Sequence, residues 1–270
     1  MSCQQRLNTF LRIDCIYCVR RSFFKLFRIV SGGSATVDEL GIEIDSHDIE
    51  IAVLVCNNEV DTADCYTAMP TDITGTEYYT VSVPSANDAS EFMIIAEEDA
   101  TTVDITIPVN LGQSVDYNGA TTNAGGTFQV SLKKGQTFCL AQTTSNSDTS
   151  HVTGYHITSD KAVSVISGNR KYDTDHVVDQ MPPISKLGLS YVLIPADPVG
   201  DDRTTTYLIQ AVEAGKHTLT TKLNMLMENL SLHGGSLMVH SCKTNCKMCH
   251  HHQTHFRNNS YESSILLYNI

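Results

Sequence analysis

The sequence predicts an all-β protein: an antiparallel meander with an internal repeat of about 113 residues, β-propeller-like or a tandem β-sandwich, its second copy cut short into an incomplete domain. Three observations lead there. Apolar residues recur with a period of two, turn-forming residues interrupt them at short intervals, and three short motifs return at nearly one offset. No stretch of useful length keeps a helical period.

In chain order, Ile49, Ile51, Val53 and Val55 alternate with Glu50, Ala52 and Leu54, which predicts the first strand of the body. Tyr79, Val81 and Val83 alternate with Thr80 and Ser82. The run from Thr101 to Ile107 places Val103, Ile105 and Ile107 on one face and Thr102, Asp104 and Thr106 on the other. Phe128, Val130 and Leu132 continue the pattern, as do Val163, Val165 and Ser167. Branched and aromatic side chains suit a pleated, half-buried surface. Asn118-Gly119, Gly125-Gly126, Lys134-Gly135 and Ser159-Asp160 supply turns between the runs. The expected core is Phe92, Ile94, Ile95, Val103, Ile105, Phe128, Val165, Tyr191, Leu193 and Leu208. The expected polar loops are 110–126, 143–150, 169–179 and 197–206.

The repeat rests on three matches. Gly41-Ile-Glu-Ile44-Asp-Ser46 aligns with Gly154-Tyr-His-Ile157-Thr-Ser159, and Gly75-Thr-Glu-Tyr78 with Gly188-Leu-Ser-Tyr191, both at an offset of 113. Glu91-Phe-Met-Ile-Ile-Ala96 meets Thr206-Tyr-Leu-Ile-Gln-Ala211 at an offset of 115. On this reading residues 41–96 and 154–211 superpose as two copies of one unit.

Charge divides the chain. Residues 1–30 carry six Lys/Arg against the single acid Asp14, whereas residues 31–220 carry 27 Asp/Glu against eight Lys/Arg, a net of −19. The expected organisation is a basic leader over 1–32, a β domain over 33–220, and an irregular Cys/His-rich tail over 221–270. An acidic body lacks the clustered cations that nucleic-acid binding needs. Arg12, Asp14, Arg20 and Arg21 break any apolar stretch of signal-peptide length, and no run approaches the ~18 apolar residues of a transmembrane helix. The 19–30 segment is basic and amphipathic, a composition that suits an anionic surface.

Each candidate for chemistry has a plainer counterpart. Cys242, Cys246, Cys249 and His250, with His251, His252 and His255 behind them, offer thiolate and imidazole ligands for zinc. They fall within one short tract with no apolar periodicity around it, which favours adventitious metal binding. Glu97-Glu98-Asp99 and the acids Asp197, Asp201 and Asp202 provide hard oxygens for calcium, yet lack the spacing of a calcium loop and read first as solvated turns. No other cofactor is expected. His151, His156 and His176 lie near Asp173, Asp175 and Asp179, but no G-x-S-x-G elbow occurs, so catalysis is not expected. Cys56 ends one strand and Cys65 begins the next, with Asn57, Asn58 and Asp61 between them, which predicts a disulfide across a hairpin and leaves Cys139 as a thiol. Tyr117, Tyr155 and Tyr172 are candidates for an exposed protein interface.

Several of these segments carry a resemblance. Gly75-Thr-Glu-Tyr78-Tyr, the stretch from Ala96 to Val103, Thr153-Gly154-Tyr-His-Ile157 with Ser159-Asp160, Val165-Ile-Ser-Gly168-Asn, and Asp179-Gln180-Met-Pro182-Pro183 followed by Gly188 resemble the N-terminal domain of the IgG Fc-binding protein family. The likeness covers roughly residues 35–213. It implies a secreted or surface domain of mucus-type proteins that binds a protein or glycan and catalyses nothing. Immunoglobulin Fc follows as a partner from the family name alone. The other reading is a structural spacer repeat without a specific ligand. This sequence departs from the pattern in having no cysteine between Asn169 and Val178, and it drifts from it after Ala214.

Overall fold

The computed structural model describes residues 35–59, 62–83, 89–142, 151–172, 175–192, 206–212, 216–223, 226–233, 236–240 and 265–269. The leader at 1–32, the 143–150 loop, Leu193, the acids at 197–202 and the Cys/His tract at 242–255 lie outside these residues. The chain divides into two compact units, Met1–Pro183 and Ile184–Ile270. The described residues hold β-strands and two single-turn 3-10 helices.

The first unit begins with β1 (Ala35–Asp38), β2 (Leu54–Glu59), β3 (Thr62–Thr67), β4 (Gly75–Tyr79), β5 (Ser90–Ala96) and β6 (Thr101–Thr106). It continues with β7 (Ser114–Tyr117), β8 (Ala120–Asn123), β9 (Thr127–Leu132), β10 (Thr137–Gln142), β11 (His156–Tyr172) and β12 (Asp175–Gln180). Its centre is β11. Along one edge of β11 lie β5 and β6 end to end: residues 163–169 pair with β5 and residues 156–159 with β6. On their far side β10 pairs with β5 and β9 with β6. The other edge of β11 takes β4 and β12, and β1 closes the edge of β10. Together these eight strands form one curved antiparallel sheet, nearly closed like a barrel.

The curvature has a local cause. Between the Thr158–Glu77 pair and the Val163–Gly75 pair, residues 159–162 of β11 face only Thr76 of β4. An unequal count on two paired strands kinks them and sharpens their twist. The side chains complete the bend. Asp160 Oδ1 accepts the Thr102 N–H at 2.7 Å, and the Lys161 ammonium donates to the Asp99 carbonyl. The β9–β10 turn follows the same line, with the Gly135 N–H donating to the Ala96 carbonyl at 2.8 Å. Thus the Ala96–Val103 and Ser159-Asp160 motifs, about 60 residues apart, meet at one bend.

The interior follows from side-chain alternation. β6 buries Thr101, Val103 and Ile105 and turns Thr102, Asp104 and Thr106 outward. Phe92, Ile94, Phe138, Leu140, Tyr155, Ile157 and Val165 complete a fully buried core. Phe92 packs its ring 5.3 Å from Tyr155 and 6.2 Å from Phe138. β10 is buried along its whole length, because the second face of this part of the sheet is covered too. There Tyr66, Val55 and Ala68 of the β2–β3 region pack on Met93, Cys139, Ile166 and Val178. Each large apolar side chain so buried contributes about 1.5–3 kcal/mol.

The second unit holds β13 (Thr206–Ala211), β14 (Lys216–Leu223), β15 (Leu226–His233), β16 (Ser236–His240) and β17 (Ile265–Asn269). β13 pairs antiparallel with β16 on one side and β17 on the other, and β14 pairs with β15.

Four expectations change. The architecture is neither a meander, a propeller nor a tandem sandwich, since β10, β5, β11 and β6 are neighbours out of chain order. The repeat is not found. Residues 41–46 form an exposed loop where 156–159 belong to β11, and Gly188 and Tyr191 lie in a loop where Gly75 and Tyr78 belong to β4. What the two Gly-x-x-Tyr matches share is local: Gly75 N–H donates to the Tyr78 hydroxyl at 2.7 Å and Gly188 N–H to the Tyr191 hydroxyl at 2.8 Å. Residues 49–53 are not a strand, Tyr191 is 41% exposed, and Ile95 and Phe128 are half-buried. The stretch read as a 169–179 loop is instead the end of β11 paired with β12.

Candidate binding surface

The motif positions of the first unit gather around β11, and most of them make a contact within the fold. Tyr78 is fully buried; its hydroxyl accepts the Gly75 N–H and donates to the Val163 carbonyl at 2.6 Å. Gly154 takes a φ of 90° and donates its N–H to the Thr80 carbonyl at 2.9 Å. Ser159 Oγ donates to the Lys161 carbonyl at 2.7 Å, beside the bend. At Gly168 a Cβ would lie 2.0 Å from the Val177 carbonyl oxygen, so only glycine lets β12 approach β11. Gln180 Oε1 accepts the Met69 N–H at 2.7 Å, and its Nε2 donates to Ser164 Oγ at 3.3 Å. Met181 N–H then bonds to the Val165 carbonyl, and the Pro182-Pro183 pair ends the first unit.

The β2–β3 hairpin is fastened to this frame. Cys56 and Cys65 occupy directly paired positions and form a disulfide with a Cα separation of 4.1 Å. Cys139 is buried in β10 and takes no part in a disulfide. Asp64 Oδ2 accepts the Val178 N–H at 2.7 Å, and Asn57 Nδ2 lies 3.4 Å from His176 Nε2.

The candidates for chemistry are occupied separately. His176 Nδ1 lies 2.8 Å from the Arg170 carbonyl, and His151 Nδ1 accepts the Thr153 N–H. His156 stacks on Tyr79, with centroids 4.6 Å apart, and its Nε2 lies 2.8 Å from Glu77 Oε1. Glu97 accepts hydroxyl hydrogen bonds from Thr74 and Ser164, and Asp99 accepts the Lys134 N–H, so these acids do not turn toward one centre. Among the described residues no group of three or more His, Cys, Asp or Glu is placed to hold a metal ion.

The tyrosines proposed for an interface are differently placed. Tyr155 is fully buried, with its hydroxyl donating to Gln113 Oε1 and accepting from Gln142 Nε2. Tyr117 packs edge-on against Phe138 at 5.6 Å. Tyr172's side chain lies outside the described residues. Burial pushes the hydroxyls of Tyr66, Tyr78 and Tyr155 up to about 12, because an ionised phenolate has no water to stabilise it there.

The exposed feature lies elsewhere, in the loop between β1 and β2 and the first residue of β2. Ile42, Ile44, Ile49, Ile51 and Leu54 are exposed by 40%, 44%, 61%, 47% and 67%. Between them stand Glu43, Asp45, Asp48 and Glu50, all exposed. The loop is held in shape at both ends. Gly41 N–H donates to the Gly135 carbonyl at 3.0 Å, Lys134 pairs with Glu43 at 2.8 Å, and Ala68 N–H donates to the Val53 carbonyl at 2.9 Å. In its middle the Asp45 carboxylate accepts the His47 N–H, and Ser46 Oγ donates to the Ile49 carbonyl. The result is a fixed acidic ridge that displays apolar side chains.

Comparison with known proteins places this frame. The IgGFc binding protein family matches residues 64–254. The chain belongs to that family. Human IgGFc-binding protein is 33% identical over 172 residues, covering 59% of this chain and 3% of the human protein. This chain therefore spans a small fraction of that relative's length. No solved structure matches it.

Within the IgGFc binding family, then, the matched stretch begins after the ridge and holds Gly75, Tyr78, Gly154, Ser159, Gly168, Gln180, Pro182, Pro183 and Gly188. Nearly all of these build the sheet around β11. Sequence reasoning missed the ridge because alternating apolar and acidic residues read as a half-buried strand. The available signal was the excess of acids among them, Glu43, Asp45, Asp48 and Glu50, with no Lys or Arg between Gly41 and Leu54.

Proposed function

We propose that this chain is a non-enzymatic extracellular binding module, acting in adhesion or mucus organisation, that meets a protein or glycoconjugate through exposed acidic loops. The observation that carries the reading is the ridge at 42–54, where five exposed apolar side chains stand among four carboxylates. Contiguous exposed apolar surface on a folded protein marks interaction sites. The surrounding carboxylates favour a cationic protein patch, and the field of the acidic body draws such a partner in. Membership of the IgGFc binding family supports binding rather than turnover. The human relative's name makes antibody Fc the first ligand to test.

A spacer role is the second reading, and one observation favours it: the motif positions serve the fold. Immobilised full-length chain, exposed to purified Fc and to mucus extract, separates the two. Salt screens exposed charges over about 10 Å at 0.1 M and about 3 Å at 1 M. The binding reading predicts capture that weakens between those concentrations and is lost in I44S/I49S. Capture of nothing at low salt leaves the spacer reading, and capture that strengthens with salt refutes the acidic surface as its basis.

A further inference from the structure

The ridge also has a partner within reach on its own chain. Residues 19–30 read Val-Arg-Arg-Ser-Phe-Phe-Lys-Leu-Phe-Arg-Ile-Val: four cations, no acid, and six large apolar residues behind Arg21. Residues 41–54 carry four acids and no Lys or Arg. Both segments intersperse charge with apolar side chains, and their charges are opposite. Salt bridges alone between exposed groups contribute little. Here ion pairing would coincide with covering Ile42, Ile44, Ile49, Ile51 and Leu54, which removes apolar surface from water.

We propose that residues 19–30 dock on the ridge at 42–54 of the same molecule. The connection permits it. Ser31-Gly-Gly-Ser34 separates the basic segment from β1, and Gly/Ser stretches reverse direction at little cost. From residue 35 to Gly41 an extended chain covers at most about 23 Å, while the twelve residues 19–30 extend to about 40 Å. The segment therefore reaches back past the whole of β1. The ridge needs no rearrangement to receive it, because the Gly41, Glu43, Asp45, Ser46 and Val53 contacts already hold its backbone. Asp48 and Glu50 are the acids that take no part in those side-chain contacts, so they are the ones most available to Arg and Lys. Docking would compete with any outside ligand of the ridge, and it stands whether or not such a ligand exists.

Hydrogen exchange of the amides of residues 49–52 in the full-length chain at low salt reads the docking. These amides should exchange at least about fivefold faster in R20E/R21E/K25E/R28E and, independently, in D48K/E50K. Combining the two sets, which again sets opposite charges against each other at positions 48 and 50 while Glu43 and Asp45 stay acidic, should return exchange part of the way toward wild type. High salt should abolish the difference. Equal exchange in all four proteins overturns the proposal. So does protection that grows with protein concentration alongside dimer formation, which would assign the ridge to a second copy. Binding of the wild-type chain to phosphatidylserine vesicles through 19–30, with ridge exchange unaffected by either set of changes, overturns it in favour of a membrane surface.

Discussion

Replacing Tyr78 by phenylalanine deletes one oxygen atom from the centre of the first unit. That oxygen serves two backbone groups at once, accepting the Gly75 N–H at 2.7 Å and donating to the Val163 carbonyl at 2.6 Å. Tyr78 is fully buried, so water cannot replace it at Val163. A buried polar group left without a partner costs about 1–3 kcal/mol. Gly75 is only half-buried, and its N–H recovers part of the loss from solvent. The expected cost is therefore about 2–3 kcal/mol. A domain of 150–250 residues shifts its Tm by about 2–4 °C per kcal/mol, so Tm should fall by roughly 5–10 °C. The second Gly-x-x-Tyr supplies the control. Tyr191 accepts the Gly188 N–H at 2.8 Å but is 41% exposed, so Y191F should cost less than about 0.5 kcal/mol. Denaturant titration of the full-length chain by circular dichroism measures both. Similar small losses for Y78F and Y191F would show that the bridge to Val163 does not hold β4 to β11, and the account of the frame would fail.

Three further outcomes follow from the same structure. G168A puts a Cβ 2.0 Å from the Val177 carbonyl oxygen, so β12 must move away from β11 and denaturant titration should show a loss of about 3 kcal/mol or more; a loss below about 1 kcal/mol would mean that the two strands are not held this closely. C56S/C65S opens a loop between residues nine apart and should lose at most about 2.7 kcal/mol, because a short loop gives the unfolded chain little extra freedom; no change would mean that the disulfide does not constrain it. The hydroxyls of Tyr66, Tyr78 and Tyr155, raised to about 12, bind their protons more tightly in the folded chain than in the unfolded one. Stability should therefore be full below pH about 10 and fall as pH rises from there toward 12. Absorbance titration near 295 nm should show these three ionising late or together with unfolding, and ionisation of every tyrosine near pH 10 in a folded chain would refute their burial.

What was legible in the sequence was local. In β6 and β9 the period of two survives because one face meets the core and the other is more open, and the buried Val103 and Ile105 were read from it, whereas in β9 the burial falls on Val130 and Leu132 rather than on the expected Phe128. The Asn118-Gly119 turn was legible because its φ values of 50° and 79° suit few residues other than Asn and Gly. The Cys56–Cys65 pairing was legible because both cysteines flank one short turn. The sheet order was not legible. No local feature tells that β10 lies beside β5, since that pairing depends on how the whole set of strands shares a core. The pattern at Ile49, Ile51 and Val53 misled for a related reason, because alternation records which residues face which way and not whether a neighbouring strand is present. Tyr155 misled in the opposite direction: its polar hydroxyl suggested exposure, but Gln113 and Gln142 satisfy it inside.

The same separation of local from collective bears on function. A sharp bend in a nearly closed sheet tolerates few residues at its kinks and close approaches, and Gly168, Asp160, Gln180 and Tyr78 are held there by contacts with distant parts of the chain. A motif built from such positions specifies a frame. It carries no information about what the frame presents, because these residues are engaged by contacts within the fold. The ridge obeys the opposite rule. Its backbone is anchored at Gly41, Glu43 and Val53, while Ile44, Asp48, Ile49 and Glu50 can change without cost to the core. If the frame is shared and the ridge is free to vary, related chains with this fold should differ in ligand according to the charge and apolar content of that one loop. Transplanting residues 42–53 between two such chains, with the frame untouched, should then carry binding preference with the loop, and preference that stays with the frame would show that the recognition surface lies elsewhere.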